Sequence, residues 1–339
     1  MASPDPRPLA GLDALSSAYG LGAVHSCRYL PDGFLNRSWR IDADRGVFAL
    51  KELVRLDPAH ARRSLGLLRH LAAAGVPVAE AVPDASGETV VRLRGRHYCL
   101  APWIEGGHPR GADMDTGHAF HHGSVIGRIH RALADASAGL PAPEPPGGLS
   151  ATPAEARGRI GGYLGLISRL EAPGEFDTAA AAVLRERLEL LAAHEHLRPD
   201  DSRPPGPFGW THGDCQNWNL LWSGGRIVAV LDWDRLRVNP FGEEVVRAAM
   251  YQFALPDGRV DLGNVAALVA GYRTESPIGA AALADAARRR WWRLTSSVWH
   301  LKHHYHLGDH SSDRLFFGDE RLVRWWTAHL GDVAAAFAA

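Results

Sequence analysis

The chain has 339 residues, 46% hydrophobic and 22% charged, which excludes a single small module and wholesale disorder and provides ample apolar material for a core. Its 37 basic and 38 acidic residues leave a formal net charge of −1, so there is no long-range field to attract a nucleic-acid backbone. Cys27, Cys99 and Cys215 are odd in number, far apart and without C-x-x-C spacing, which argues against a disulfide framework or a cysteine metal site.

The N-terminal stretch MASPDPRPLAGLDAL has no basic segment followed by an apolar run, and no later segment approaches the length needed to span a bilayer; a cytoplasmic protein is expected. The basic residues are almost all arginine. Lys51 and Lys302 are the chain's two lysines, so a lysine here is a rare event.

Residues 1 to about 105 read as α+β. SWRIDADRGVFALKEL predicts a hairpin turning at Asp44-Arg45-Gly46, with Lys51 near the end of its second strand. DPAHARRSLGLLRHLAAAG predicts one helix of about four turns: Asp57 caps it, Pro58 opens it, Leu65, Leu68, Leu71 and Ala72 share a face, and Gly75 stops it. ETVVRLRGRHYCLAPWI predicts a second hairpin turning near Gly95 and running into Pro102–Gly107. A lobe boundary is expected there, dividing residues 1–104 from a mainly helical 105–339. Helical spacing continues over 115–137, 153–171, 177–196, 243–253, 261–273, 280–307 and 319–337. Two Pro/Gly-rich stretches, GLPAPEPPGGLSATP and RPDDSRPPGPFG, read as surface loops.

The chemistry lies in WTHGDCQNWNLLWSGGRIVAVLDWDRL, within a loop region spanning 210–235. His212-Gly213-Asp214 leads to Asn219 five residues after the aspartate, and a hairpin turning at Ser223-Gly224-Gly225 delivers Asp232. Such a loop and hairpin can hold a carboxylate, a carboxamide and a second carboxylate around one point. These are hard oxygen donors that suit Mg²⁺. Asn219 and Asp232 then hold metal, while Asp214 sits where an incoming hydroxyl is oriented and deprotonated. His212 is expected to pack and orient the loop. Asp234 is either a supporting group near the metal or an exposed acid.

H-G-D-x-x-x-x-N followed by L-D-W-D, with an upstream strand lysine, resembles the aminoglycoside phosphotransferase family, whose relatives include choline kinases and a class of homoserine kinases. The resemblance covers most of the chain, from GFLNRSWRI through VFALKEL and APWIEGG to the catalytic loop. It implies a bilobal protein-kinase-like fold, with a small nucleotide-binding lobe of antiparallel sheet plus helix and a large helical lobe. It further implies Asp214 as the catalytic aspartate, Asn219 and Asp232 as metal ligands, and Lys51 as the contact to the α and β phosphates of ATP or GTP. The segment Asp32–Ser38 matches the loop over the phosphates, which brings in Gly33, Asn36 and Ser38. The hinge Leu100–Ile104 would offer backbone groups of Ala101, Trp103 and Ile104 to the purine, with Pro102 lacking an N–H.

One departure stands out. Relatives carry an acid on the first small-lobe helix that pairs with the strand lysine, yet this helix has no carboxylate after Asp57, and Ser64 occupies the aligned position. Glu80 could substitute, or Lys51 could bind phosphate without a clamp.

Gly213 stands where a protein kinase has an arginine, and only a short run from Arg235 to Glu243 leads to the next helix. A small hydroxyl-bearing acceptor is therefore expected. From residue 235 onward acids do not outnumber bases, and Trp291, Trp292, Trp299, Trp325 and Trp326 suit stacking on a neutral ring better than binding a polycation, unless they simply pack helices. An antibiotic or other natural product that is not strongly polycationic is the expected acceptor. The alternatives are a metabolic kinase of homoserine, choline or sugar type, or a nucleotide-binding pseudokinase. A separate reading is a transition-metal site among His300, His303, His304, His306 and His310 through their i, i+4 spacing.

Overall fold

A computed structural model describes residues 8, 10–31, 36–54, 56–147 and 151–339. The chain divides into two compact units, one of residues 1–108, 128–142 and 210–237, the other of residues 109–127, 143–209 and 238–339. Among the described residues no helix is long and apolar enough to cross a membrane.

The first unit is built on a five-stranded antiparallel sheet. Its strands are β1 (Val24–Leu30), β2 (Arg37–Ala43), β3 (Gly46–Leu53), β4 (Val91–Leu93) and β5 (Arg96–Pro102), in the order β1-β2-β3-β5-β4. Side chains alternate across the pleat, so Trp39, Ile41, Leu50, Tyr98 and Leu100 share a buried face with Leu15 and Tyr19 of helix α1 (Leu12–Tyr19). The opposite face carries the cross-strand row Ser38, Lys51 and Cys99. Both expected turns form; Arg94 (φ 47°) and Gly95 (φ 79°) close the β4–β5 hairpin in the left-handed geometry that two-residue hairpin loops favour.

Asp57 accepts from Ala59 N and His60 N and starts the expected helix, with Pro58 at its first position. The predicted single helix is in fact two, α2 (Pro58–Gly66) and α3 (Leu68–Ala73). Leu67 N–H donates to Ser64 O at 3.3 Å, a tighter closure than the α-helical one, just after the poor helix former Gly66. Leu68 and Leu71 are nonetheless buried as their spacing requires, and Gly75 (φ 77°) takes the left-handed conformation that ends the run.

The second unit is helical. Helix α4 (Thr116–Ala134) contributes its first part. The other helices are α5 (Pro153–Ile167), α6 (Glu175–His194), α7 (Phe241–Gln252), α8 (Leu262–Arg273), α9 (Ala280–Ser296), α10 (Trp299–Leu307), α11 (Asp313–Ala328) and α12 (Leu330–Ala338). The spans read as 280–307 and 319–337 are each broken in two. At the first break Arg187 donates to Leu294 O and Thr295 O, both at 2.7 Å, so its guanidinium satisfies carbonyls that end α9. Glu320 of α11 balances that charge at 2.6 Å.

Trp291, Trp292 and Trp326 are fully buried among these helices, so they pack the core and present no stacking surface. Trp299, at 44% exposure, is the one of the five that presents a large open face.

Ser64 is 2% exposed and its hydroxyl has no hydrogen-bond partner. A buried unsatisfied hydroxyl costs about 1–3 kcal/mol. Ser64→Ala is therefore expected to raise stability by about 1 kcal/mol in a denaturant or thermal melt; a lowered midpoint would show that the hydroxyl contributes to the fold.

Candidate active site

The alternation that buries Leu50 puts Lys51 on the open face of the sheet, and its Nζ lies 2.6 Å from Asp232 Oδ1 and 2.8 Å from Asp234 Oδ2. Burial alone would lower the ammonium pKa; the two carboxylates reverse that and hold it raised. Burial likewise pushes Asp232 up, but Lys51 wins and its pKa is lowered. Asp234 is raised, by burial and by the Asp232 charge beside it. Across the sheet, burial pushes the Cys99 thiol up to about 11, so it stays protonated beside Lys51.

Further groups fix Asp234. Asn36 donates from Nδ2 to Asp234 Oδ2 at 2.7 Å and accepts from Val54 N at 3.1 Å through Oδ1. His60, on α2, donates from Nε2 to the Asp234 carbonyl at 3.0 Å. The helix that lacks an acid thus supplies an imidazole to the backbone of the loop Lys51 grips. The expectation that Glu80 replaces the missing acid is not met, since Glu80 lies on the surface against Arg69 at 3.7 Å. Lys51 is not without a clamp either; both acids of the L-D-W-D segment hold it.

Three short strands carry the loop, β6 (Phe208–Thr211) before it and the hairpin of β7 (Leu220–Ser223) with β8 (Arg226–Val230) after it. His212 is completely buried. Its Nε2 donates to Leu231 O at 2.9 Å, its Nδ1 accepts from Asp214 N at 3.2 Å, and its ring meets Trp233 edge-on at 4.6 Å. Both nitrogens bind backbone. Asn219 donates from Nδ2 to Asp214 O at 2.9 Å, and Leu231 N donates to Asn219 O at 2.8 Å, so the loop is laced to the chain that precedes Asp232. Asp214 accepts from Gln216 Nε2 at 3.2 Å and has Arg235 Nε at 3.8 Å.

Asp232 itself sits in left-handed backbone (φ 60°, ψ 66°). For a non-glycine residue this costs about 1–2 kcal/mol, and it turns the carboxylate abruptly out of the strand direction. Asp232 is 43% exposed at its side chain against 16% for Asp234, so Asp232 is the acid better placed to meet a cation from solvent. With its amide nitrogen committed to Asp214 O, Asn219 has a carbonyl oxygen to offer. Both are hard donors of the type Mg²⁺ takes.

Among the residues expected to contact nucleotide, Gly33 lies outside the described residues. Ser38 neighbours Lys51 across β2 and β3. Ala101 pairs with Ala49. Trp103 N–H donates to Val47 O at 2.9 Å, so that amide is not on offer to a purine, and Ile104 follows it. Arg40 lies over the Trp103 ring, 5.5 Å from its centroid. Sequence spacing does not mark Gln216 or Arg235 as neighbours of Asp214; His60 carries a weak local signal, as a polar residue in the first turn of α2.

A five-stranded antiparallel sheet carrying a lysine, with an H-G-D loop and a second acidic segment in the same compact unit, is the architecture of a kinase-like phosphotransferase. The chain belongs to the phosphotransferase enzyme family, whose model matches residues 26–278, and it is a phosphotransferase of that family. It is 24% identical over 286 residues to the homoserine kinase of Polaromonas naphthalenivorans, covering 82% of this chain and 83% of that one. The homoserine kinase of Methylobacterium radiotolerans is also 24% identical, over 81% and 79%. Solved structures share the fold. A spectinomycin phosphotransferase in complex with ADP and spectinomycin superposes with a TM-score of 0.63 at 15% identity, covering 96% of each chain. An aminoglycoside phosphotransferase from Alicyclobacillus acidocaldarius gives 0.62 at 17% identity, covering 99% and 96%.

Gly213 links His212 to Asp214 at φ 83°, and a Cβ there would lie 2.4 Å from the Arg235 carbonyl oxygen. Gly213→Ala combines backbone strain with a steric clash against main chain and is expected to displace Asp214. Turnover should fall at least about tenfold, with a lowered melting temperature; wild-type values for both would show that the loop tolerates a side chain there.

Proposed function

We propose that this chain transfers the γ-phosphate of ATP or GTP to a hydroxyl of a small molecule, with Asp214 as the group that orients the hydroxyl and takes its proton. The observation that carries this is the loop itself. His212 and Asn219 hold the Asp214 backbone by hydrogen bonds of 3.2 and 2.9 Å, and Leu231 in turn binds both of them, within the same unit that presents Lys51. A carboxylate held this way can accept a proton without itself being phosphorylated. The acceptor oxygen forms its bond to the γ-phosphorus as the bond to the β–γ bridging oxygen breaks, the nucleoside diphosphate leaves, and the hydroxyl proton passes to Asp214.

In this reading Lys51 contacts the α and β phosphates as a compact point charge, a task for which arginine is not equivalent. Asn219 and Asp232 hold Mg²⁺, which when bound neutralises phosphate charge. Asp234 holds Lys51 in place, and Asn36, bonded to Asp234, belongs to the segment expected to cover the phosphates.

The acceptor is taken to be an antibiotic or other natural product that is not strongly polycationic. The solved structures sharing the fold include, besides the spectinomycin enzyme, an amicoumacin kinase bound to AMP-PNP and Ca²⁺, with a TM-score of 0.60 at 18% identity over 94% and 91% of the chains. A second reading, phosphorylation of homoserine or a related amino alcohol, is favoured by the homoserine kinases that align over about four-fifths of both chains. Mass-shift assays of phosphate transfer from ATP and GTP to antibiotics, nucleosides, sugars and amino alcohols separate the two. Transfer to none of them by the wild type, with nucleotide still bound, would favour a pseudokinase.

On an acceptor so identified, Asp214→Asn is expected to lower kcat by about 10²–10⁴ while nucleotide affinity stays nearly unchanged. Normal turnover of that variant, or a phosphorylated protein intermediate trapped in the wild type, would reassign the base.

A further inference from the structure

The second unit holds a cluster that phosphate transfer does not use. Helix α10 ends at Gly308, whose left-handed conformation (φ 60°) turns the chain back through a short 3-10 turn, His310–Ser312, into α11. That corner brings His304, from the end of α10, against His310 of the turn and Asp313 at the start of α11. His304 Nδ1 lies 3.0 Å from both carboxylate oxygens of Asp313 and 3.0 Å from His310 Nδ1, and His310 Nδ1 lies 3.4 Å from Asp313 Oδ2.

Protons satisfy these contacts only in part. Each imidazole Nδ1 either donates or accepts. A single proton on His304 Nδ1 must be divided between Asp313 and the His310 Nδ1 lone pair, which then itself faces Asp313 Oδ2 at 3.4 Å. A proton on His310 Nδ1 serves His304, whose lone pair also faces two carboxylate oxygens. A cation at the centre meets all three groups favourably. Tetrahedral ligands bound at about 2.0 Å stand about 3.3 Å apart, which is the spacing seen here.

We propose that His304, His310 and Asp313 form a binding site for a zinc-type divalent transition metal. The site is built to hold its ligands. Phe176 stacks on the His304 ring at 4.1 Å and 14°, and His304 Nε2 faces Asp177 at 4.0 Å, an acid fixed by Tyr305 Oη at 2.7 Å. A carboxylate behind a ligating imidazole orients the ring and raises its basicity. Asp309 caps the turn that presents His310 by accepting from Ser311 N at 3.1 Å. His310 is 65% exposed, which gives the ion a path in and leaves room for water as a fourth ligand. Two imidazoles and one carboxylate favour zinc over Mg²⁺, which prefers oxygen ligands. The metal would fasten α10 to α11, with α6 held behind His304 through Phe176 and Asp177. The i, i+4 pairing suggested by the sequence is not the one formed, because His300 faces Asp319 at 3.4 Å instead.

The test uses the untagged full chain, stripped with chelator, dialysed against limiting Zn²⁺ in excess Mg²⁺ and assayed for metal by mass spectrometry. One zinc per chain is expected, retained in His306→Ala and in Asp232→Ala and lost in His304→Ala and His310→Gln. Asp177→Asn should keep the stoichiometry and weaken affinity about 10- to 100-fold. His310 lies on the surface, so His310→Gln, checked by circular dichroism, loses the ligand without disturbing the core. No zinc on the wild type, or one zinc retained in His310→Gln, would overturn the site.

Discussion

The first unit depends on a single ammonium. Lys51 projects from the face of the sheet opposite the hydrophobic core and bridges Asp232 and Asp234, acids 181 and 183 residues further along the chain. Two carboxylates so close repel each other, and a partly buried pair costs desolvation that only a well-placed cation offsets. Much around them serves that arrangement. Asn36 and His60 donate hydrogen bonds to Asp234, and the left-handed backbone of Asp232 sets its carboxylate against Lys51 despite the conformational cost. The bridge joins the strand expected to read phosphates to the segment expected to hold metal.

The H-G-D loop works by a different principle. Asp214 is positioned largely through main chain: His212 binds Asp214 N and Leu231 O, Asn219 binds Asp214 O, and Gly213 passes so near Arg235 that no side chain fits. Backbone fixed in this way leaves the Asp214 side chain with lighter contacts from Gln216 and Arg235. In the proposed reaction, backbone fixed beforehand orients that side chain before substrate arrives.

What could be read from the sequence follows from how local each signal is. The hairpin turns at Arg94-Gly95 and Gly224-Gly225 need left-handed backbone that glycine supplies, and the Asp57-Pro58 helix start is written in adjacent residues. The helix breaks near residues 67, 297 and 329 were hidden because apolar spacing runs through them. The second is set by Arg187, more than a hundred residues away, taking the last carbonyls of α9. The buried tryptophans illustrate the same limit, since periodicity shows that a residue recurs on a face but not what covers it. The site motif was legible as a set of residue types at fixed spacing. The partner of Lys51 was not, because nothing local to either segment reports that Asp234 reaches the lysine in place of a helix acid.

A thermodynamic cycle on nucleotide binding probes the bridge most directly. Titration calorimetry of Mg·ADP with wild type, Lys51→Ala, Asp234→Asn and the double variant measures whether the two residues act together. If Asp234 holds Lys51 for the phosphates, the two substitutions are non-additive, with a coupling of about 0.5–3 kcal/mol as expected for groups in contact. If their effects add to within about 0.3–0.5 kcal/mol, Asp234 does not position Lys51 for nucleotide, and the account of the site built on that bridge is wrong.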